Sequence, residues 1–95
     1  MSREEVIRIV QAHQAEREAL GVASLSVFGS VARGEAAAHS DVDMLVAFSR
    51  PVGLIEFVRV PHYLETLLGC AVDLATEDAL RPEMREQVLE EAVHA

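Results

Sequence analysis

Apolar residues along the chain alternate between helical spacing and short continuous runs. From position 3 to about 20, Val6, Ile9, Val10, Ala15 and Leu20 recur near helical spacing among charged residues, which indicates an amphipathic helix. Short β-favouring runs follow at three places, and helical spacing returns between and after them. The predicted order is a helix over 3–20, a strand over 23–28, a short helix from 31–34, a strand over 42–48, a helix over 54–68, a strand over 71–75 and a helix over 82–93.

Glycine and proline set several of these boundaries. Gly21 and Gly69 are expected to stop the helices that precede them, and Pro82 suits a first helical turn. Pro61 lies inside the long helical segment, where it removes a backbone donor and crowds the preceding turn. We therefore expect Pro61 to kink or divide that helix.

The composition favours one domain over residues 1–95, because 95 residues of which 51% are hydrophobic can build one modest core. A chain of this length has little room for a separate substrate-binding module, so a protein partner and a homo- or hetero-oligomer are expected. The net charge of −8 disfavours direct contact with nucleic acid, although a metal-assisted nucleotide site is compatible with it.

The sequence shows neither a targeting segment nor a pair of cysteines that could form a disulfide. The first residues form neither a secretory signal nor a membrane span, so a cytoplasmic protein without membrane contact is expected. Cys70 has no second cysteine to pair with and is interpreted as a small buried residue that leads into a strand. All eight basic residues are arginines, which excludes a phosphate-loop lysine.

Acidic residues interrupt two of the predicted strands. Asp41 and Asp43 are two residues apart, so on an extended strand both side chains project from one face. Asp73 lies in the middle of the next apolar strand. Two close carboxylates repel unless a cation neutralises them, and hard oxygen ligands suit Mg²⁺ or Mn²⁺. Solvated acids at a strand edge are the alternative for the Asp41 and Asp43 pair alone.

A glycine and a serine follow the first strand and precede a short predicted helix. Gly29 allows the backbone to approach a ligand closely, and the first helical amides point towards a bound phosphate. The Ser30 hydroxyl is suited both to cap the helix and to donate to a phosphate oxygen. A serine that only caps the helix is the alternative.

Together these residues form the pattern Gly29-Ser30, ten residues, then Asp41-Val42-Asp43. This pattern resembles the signature of the DNA polymerase β-like nucleotidyltransferase superfamily. The fuller stretches Gly-Ser-Val-Ala-Arg-Gly and Ser-Asp-Val-Asp-Met-Leu-Val resemble the minimal nucleotidyltransferase (MNT) family, whose members often act with HEPN-domain partners in toxin–antitoxin systems. The resemblance extends from the first helix to the last, while its motifs lie between Gly29 and Val46 and at Asp73.

The resemblance implies an α/β (α+β) nucleotidyltransferase fold with a small mixed sheet flanked by helices. It also implies that Gly29 and Ser30 hold the triphosphate of ATP and that Asp41, Asp43 and Asp73 ligate Mg²⁺ or Mn²⁺ as the catalytic acids. Asp73 matches by its strand context and not by a fixed spacing. Arg33 is a further candidate for phosphate contact, with a surface ion pair as the alternative.

The activity that the resemblance implies is transfer of AMP from ATP to a hydroxyl, such as a tyrosine, of a HEPN toxin. The protein would then act as an antitoxin. Two alternatives stay open: a non-catalytic antitoxin that masks the toxin in a complex, and a nucleotidyltransferase that modifies a small molecule. His13, His62 and His94 have no ligand-like mutual spacing, and Tyr63 is interpreted as a half-buried helix residue, with a base-stacking platform as the alternative. His39 adjoins the acidic motif and is a lesser candidate for contact with nucleotide or partner, with a solvated loop histidine as the alternative.

Overall fold

A four-stranded mixed sheet forms the centre of the computed structural model, which describes residues 2–35 and 41–95. The strand order is β3-β2-β1-β4, with β2 antiparallel to β1 and parallel to β3, and with β4 antiparallel to β1. The strands are β1 (Val22–Phe28), β2 (Val42–Phe48), β3 (Val72–Thr76) and β4 (Val93–His94). The helices are α1 (Arg3–Gln11), α2 (Gln14–Ala19), α3 (Gly29–Ala32), α4 (Leu54–Leu68) and α5 (Pro82–Glu91), with a 3₁₀ turn at Glu77–Ala79.

The main core lies between one face of the sheet and the helices α1 and α4. Val42, Met44 and Val46 of β2 are buried, so alternation along the strand sends Asp43 to the opposite face. The helices contribute buried residues at helical spacing, namely Val6 and Val10 from α1 and Val60, Leu64 and Leu68 from α4. The mixed sheet and its flanking helices confirm the predicted fold class.

The prediction of one helix over 3–20 is wrong, because the segment forms α1 and α2 with a break at Ala12 and His13. The His13 backbone N–H donates to the carbonyl of Val10, three residues back, at 3.1 Å. The His13 ring contacts the carbonyl of Ile9 at 2.8 Å, which is the acceptor that a continuous helix would give to the backbone N–H of His13. The side chain therefore replaces a backbone hydrogen bond and ends α1.

Pro61 does not divide α4, which runs without interruption through that position. The proline forfeits one backbone hydrogen bond, to the carbonyl of Phe57. Burial of Val60, Leu64 and Leu68 against the sheet holds the helix on either side of it. Gly69 ends α4 in the left-handed conformation, with φ of 71°, and its N–H donates to the carbonyl of Glu65 at 2.8 Å.

The end of the chain differs from the single terminal helix that the sequence predicts. Helix α5 ends at Glu91, and Val93 and His94 form a short strand beside Val27 and Ser26 of β1. The Ala95 N–H donates to the carbonyl of Leu25 at 2.9 Å, which fixes the position of the residues after α5. Within the described residues, no helix is long and apolar enough to cross a membrane.

Candidate active site

Two of the predicted acids are neighbours in the sheet. Asp43 of β2 and Asp73 of β3 are register partners, and adjacent strands lie about 4.8 Å apart. Asp41 comes directly before β2 and is exposed, two residues from Asp43 on the same face. Asp73 is also exposed, on the strand at the edge of the sheet. The fold therefore brings all three acids to one end of the sheet's open face.

Asp43 lies in an electrostatically unfavourable position. Burial raises the pKa of the Asp43 carboxyl above its ordinary value, and the charges of Asp73 and Asp41 raise it further. The Arg33 guanidinium lowers this pKa but does not reverse the shift. The negatively charged form of Asp43 is therefore disfavoured in the free protein, and a nearby cation would stabilise it.

Gly29 allows the turn after β1 to pass directly over Asp43. Its neighbour Phe28 is the register partner of Asp43, and Gly29 itself has φ of +72°. A Cβ atom added at Gly29 would lie 3.1 Å from Cγ and 3.2 Å from Cβ of Asp43, and closer still to a carboxylate oxygen. Both the backbone conformation and the close approach therefore require glycine at this position.

Ser30 does not cap the short helix, so that expectation is wrong. Helix α3 begins one residue earlier, at Gly29, and its N-cap is Phe28, which makes no capping hydrogen bond through its side chain. The left-handed conformation of Gly29 turns the chain into the helix before Ser30 is reached. Ser30 is half-buried and lines a cavity together with Gly29 and Asp43.

That cavity has a volume of about 280 Å³, near the lower end of the range for small-molecule sites. The turn after β1 forms one wall and helix α5 forms the other. Its lining residues are Phe28, Gly29, Ser30, Arg33, Asp43, Met84, Gln87, Val88 and Glu91. Asp41 and Asp73 lie beside the cavity and do not line it. Asp43 is therefore the acid that both lines the cavity and belongs to the acidic cluster of Asp41, Asp43 and Asp73.

Arg33 forms ion pairs, as the alternative interpretation of this residue predicts. Its Nε donates to Glu35 at 3.0 Å, and its Nη1 donates to the two carboxylate oxygens of Glu91 at 3.0 and 3.1 Å. Because Arg33 also lines the cavity, these ion pairs do not take it away from the candidate site.

The α5 side of the cavity was not predicted from the sequence. Met84, Gln87, Val88 and Glu91 lie at spacings of three and four residues, so they share one face of α5. Met84 and Val88 are apolar residues at helical spacing in the helix predicted over 82–93, and the same spacing extended to polar residues would have included Gln87 and Glu91. That helical periodicity is the signal available in the sequence.

The acidic cluster supplies the right donor chemistry for a divalent metal, although the side chains do not converge. Among residues 2–35 and 41–95, no three His, Cys, Asp or Glu side chains are close enough to hold a metal ion as they stand. Asp43 and Asp73 are nevertheless adjacent across the sheet, and carboxylate oxygens are the ligands that Mg²⁺ and Mn²⁺ prefer. The chemistry of this donor set therefore suits a divalent metal.

The lesser candidates from the sequence have structural partners or lie elsewhere. Tyr63 is half-buried in α4 and donates a hydrogen bond to Glu16, and burial together with that bond raises its pKa to about 12. Cys70 is partly buried against the core, close to the expectation for it. His39 lies outside the described residues.

Comparison with known proteins places the chain in a family. The profile described as "Nucleotidyltransferase domain" matches residues 4–94. The chain is 43% identical over 95 residues to Protein adenylyltransferase MntA of Thermococcus cleftensis, covering 99% of this chain and 96% of the relative. A solved structure of a candidate minimal nucleotidyltransferase shares 43% identity, covers 98% of this chain and 95% of its own, and superimposes with a TM-score of 0.82.

More distant solved structures share the fold alone. One is an MNT antitoxin structure in complex with a tri-AMPylated HEPN toxin of Shewanella oneidensis, which matches at 18% identity and a TM-score of 0.57 over 88% of this chain and 69% of the other. The family profile spans nearly all of the chain, and the identity to the Thermococcus enzyme extends over its full length. The chain therefore belongs to the nucleotidyltransferase domain family, and its enzyme class is that of a nucleotidyltransferase.

Proposed function

We propose that this protein is a metal-dependent protein adenylyltransferase that transfers AMP from ATP to a hydroxyl, such as a tyrosine, of a HEPN toxin and so acts as its antitoxin. The observation that carries the proposal is the position of Asp43, which faces Asp73 across the sheet and lines the same cavity as Gly29 and Ser30. The 43% identity to a named protein adenylyltransferase supports the same chemistry.

The reaction joins the acceptor oxygen to the α-phosphorus of ATP and breaks the bond between that phosphorus and the bridging oxygen to the β-phosphate. Pyrophosphate leaves with the bonding electrons, and the hydroxyl proton passes to a carboxylate or to water. Asp73 suits the acceptor side, because it is exposed on the edge strand from which another protein can approach.

The remaining residues hold the nucleotide. The backbone at Gly29 and Ser30 lies over Asp43, where it can contact the phosphates, and Arg33 supplies positive charge to the same cavity. Mg²⁺ or Mn²⁺ held by Asp41, Asp43 and Asp73 would supply the positive charge that lets a triphosphate lie beside three carboxylates. Phosphoryl transfer depends mainly on such positioning and charge, which a small fold can provide.

A protein acceptor suits the surface of the molecule better than a small molecule does. Leu54 is 80% exposed and Ile55 is 73% exposed at the start of α4, beside Val58. Adjacent exposed apolar side chains are typical of protein-binding surfaces. We also propose that residues 1–95 form one domain, which is supported by the hydrogen bond from Arg17 in α2 to the carbonyl of Ala95 at 2.9 Å.

The experiment uses trace amounts of the protein with an excess of a candidate HEPN-domain partner, plus ATP and Mg²⁺. Mass spectrometry should detect the addition of one or more AMP groups to a hydroxyl side chain of the partner. Excess chelator should abolish both the mass shift and the binding of ATP, because the triphosphate and the carboxylates repel one another without cations.

The paired variant Asp41→Asn, Asp43→Asn should lose the mass shift, since these carboxylates hold the charge that stabilises the transferring phosphoryl group. Asp78→Asn is the matched control, because Asp78 is an exposed acid on the 3₁₀ turn and does not line the cavity. Full neutralisation of the toxin by the paired variant at one-to-one stoichiometry, without an adduct from the wild type, would refute catalysis and establish masking.

A further inference from the structure

The last residue of α5 places a carboxylate inside the cavity that the proposed function assigns to nucleotide. Both carboxylate oxygens of Glu91 accept from Nη1 of Arg33, at 3.1 and 3.0 Å. The Glu91 side chain is 18% exposed, against 62% for Glu35, which is the other acid bonded to Arg33. Glu91 is therefore the inward-facing partner of Arg33, and Glu35 is the solvent-facing partner.

Other donors in the cavity also stabilise the charged form of Glu91. Gln87, one turn earlier in α5, donates from Nε2 to Glu91 at 3.2 Å. Burial raises the pKa of Glu91, but the bonds from Gln87 and Arg33, the charge of Arg33 and the backbone amide of Gly29 together hold the pKa below its ordinary value. The turn after β1 and α5 thus form a site for an anion, and in the free protein that anion is Glu91.

We propose that Glu91 competes with the phosphates of the nucleotide for Arg33, so that Glu91 limits nucleotide affinity. This inference rests on the proposed function, because it takes the Gly29-Ser30 turn and Arg33 as phosphate contacts. Among the described residues that line the cavity, Arg33 is the one cationic side chain. A phosphate that binds Arg33 must therefore share it with Glu91 or displace Glu91.

Arg33 has a second anchor besides Glu91. This favours a role for Glu91 as a competitor of phosphate for Arg33 over a role in positioning Arg33. The Nε of Arg33 is held by Glu35 at 3.0 Å, so the guanidinium has a second anchor outside the cavity. Glu91 also adds a negative charge to the cavity that contains Asp43, beside Asp41 and Asp73. A triphosphate that enters this cavity therefore meets one more like charge while Glu91 is ionised.

A phosphate can displace Glu91 from Arg33 if the Glu91 side chain alone rotates, without movement of α5. The residues that follow α5 are fixed, since Val93 and His94 pair with β1 and the Ala95 N–H donates to Leu25. Glu91 can turn away from Arg33 by rotation about its side-chain bonds, and Gln87 remains available as a donor to the incoming phosphate.

The test compares Glu91→Gln with Glu90→Gln by calorimetric titration with ATP and Mg²⁺. Both variants remove one negative charge from the end of α5, but Glu90 is exposed and does not line the cavity. We expect Glu91→Gln to lower the Kd for ATP by about three- to tenfold, because the amide holds Arg33 more weakly than a carboxylate does and adds no charge. Glu90→Gln should change the Kd by less than about twofold, as a surface charge does.

A second comparison introduces Glu91→Gln into the Arg33→Ala variant, to determine whether Glu91 changes the Kd for ATP through Arg33. If Glu91 acts by occupying Arg33, most of the gain from Glu91→Gln should disappear when Arg33 is replaced by Ala. A Kd for Glu91→Gln that equals or exceeds the wild-type value would overturn the competition while leaving the proposed function intact. ATP binding by Glu91→Gln but not by the wild type would support the competition strongly. Failure of both proteins to bind ATP would overturn both proposals.

Discussion

Replacement of Gly29 by alanine tests the close approach between the turn after β1 and Asp43. Gly29 has φ of +72°, a conformation that costs a residue with a Cβ about 1–2 kcal/mol. The added methyl would also lie 3.1 Å from Cγ of Asp43, so that the carboxylate or the turn must move. Overpacking of this kind costs about 1–3 kcal/mol, and the sum is a loss of about 3 kcal/mol in the free energy of unfolding.

Two other glycines separate the backbone strain from the overlap. Gly34 and Gly69 have φ of +74° and +71°, and a Cβ added at either meets no atom of the described residues within 4 Å. Gly34→Ala and Gly69→Ala should therefore cost only the backbone strain of about 1–2 kcal/mol. The difference between Gly29→Ala and these controls measures the contact with Asp43.

Urea unfolding followed by circular dichroism gives the three free energies. At about 4–8 °C per kcal/mol for a domain of this size, Gly29→Ala should lower the melting temperature by roughly 12–24 °C. Adding Asp43→Ala to Gly29→Ala should recover about 1 kcal/mol or more relative to additivity, because the overlapping carboxylate is removed. Equal losses for Gly29→Ala and Gly69→Ala, within about 0.5 kcal/mol, would refute the close approach.

Three further predictions concern charge, pH and surface. Asp43→Asn should stabilise the metal-free protein at neutral pH by roughly 0.5 kcal/mol, because the raised pKa of Asp43 shows that its charged carboxylate is unfavourable in the folded protein. This gain should vanish below about pH 4, where the carboxyl of Asp43 is protonated in both the folded and the unfolded protein, and thermal melts in chelator measure it. Tyr63, the single tyrosine, should titrate near 12 by absorbance, and its stabilising contribution should be lost progressively as the pH rises from about 10 to about 12. Leu54→Ser with Ile55→Ser should leave stability within about 0.5 kcal/mol but weaken partner binding at least about tenfold, whereas Leu89→Ser should not weaken it.

The strands were predicted well from the sequence, because their signals are local. The strand predicted over 42–48 has the bounds of β2, and the strands predicted over 23–28 and 71–75 differ from β1 and β3 by one residue. Runs rich in Val, Leu and Phe between polar turns identify these strands without knowledge of their partners. The register that makes Asp43 and Asp73 neighbours was not predictable, since it depends on how α4 returns the chain to the sheet.

The features that sequence reasoning missed depend on tertiary contacts. Strand β4 has two residues, too few for a periodic pattern, and it exists because it pairs with β1. The break between α1 and α2 depends on a side-chain bond from His13, which helical periodicity does not reveal. The sequence alone does not distinguish Glu91 from the other acids of the last helix. Its contact with Arg33 depends on the packing of α5 beside the turn after β1.

The site combines several features that the packing of the fold does not require. Asp43 is partly desolvated among like charges, Gly29 adopts a conformation that only glycine accepts readily, and Glu91 occupies the one cation that lines the described cavity. The core could be built without any of them, because Val42, Met44 and Val46 on the other side of β2 provide the packing. Unfavourable features that are concentrated at one cavity are typical of a functional site, where a ligand relieves them. A cation would neutralise Asp43 and its neighbours, and a phosphate would replace Glu91 at Arg33, so the acidic cluster and the Arg33–Glu91 pair each correspond to one part of a metal-bound nucleotide.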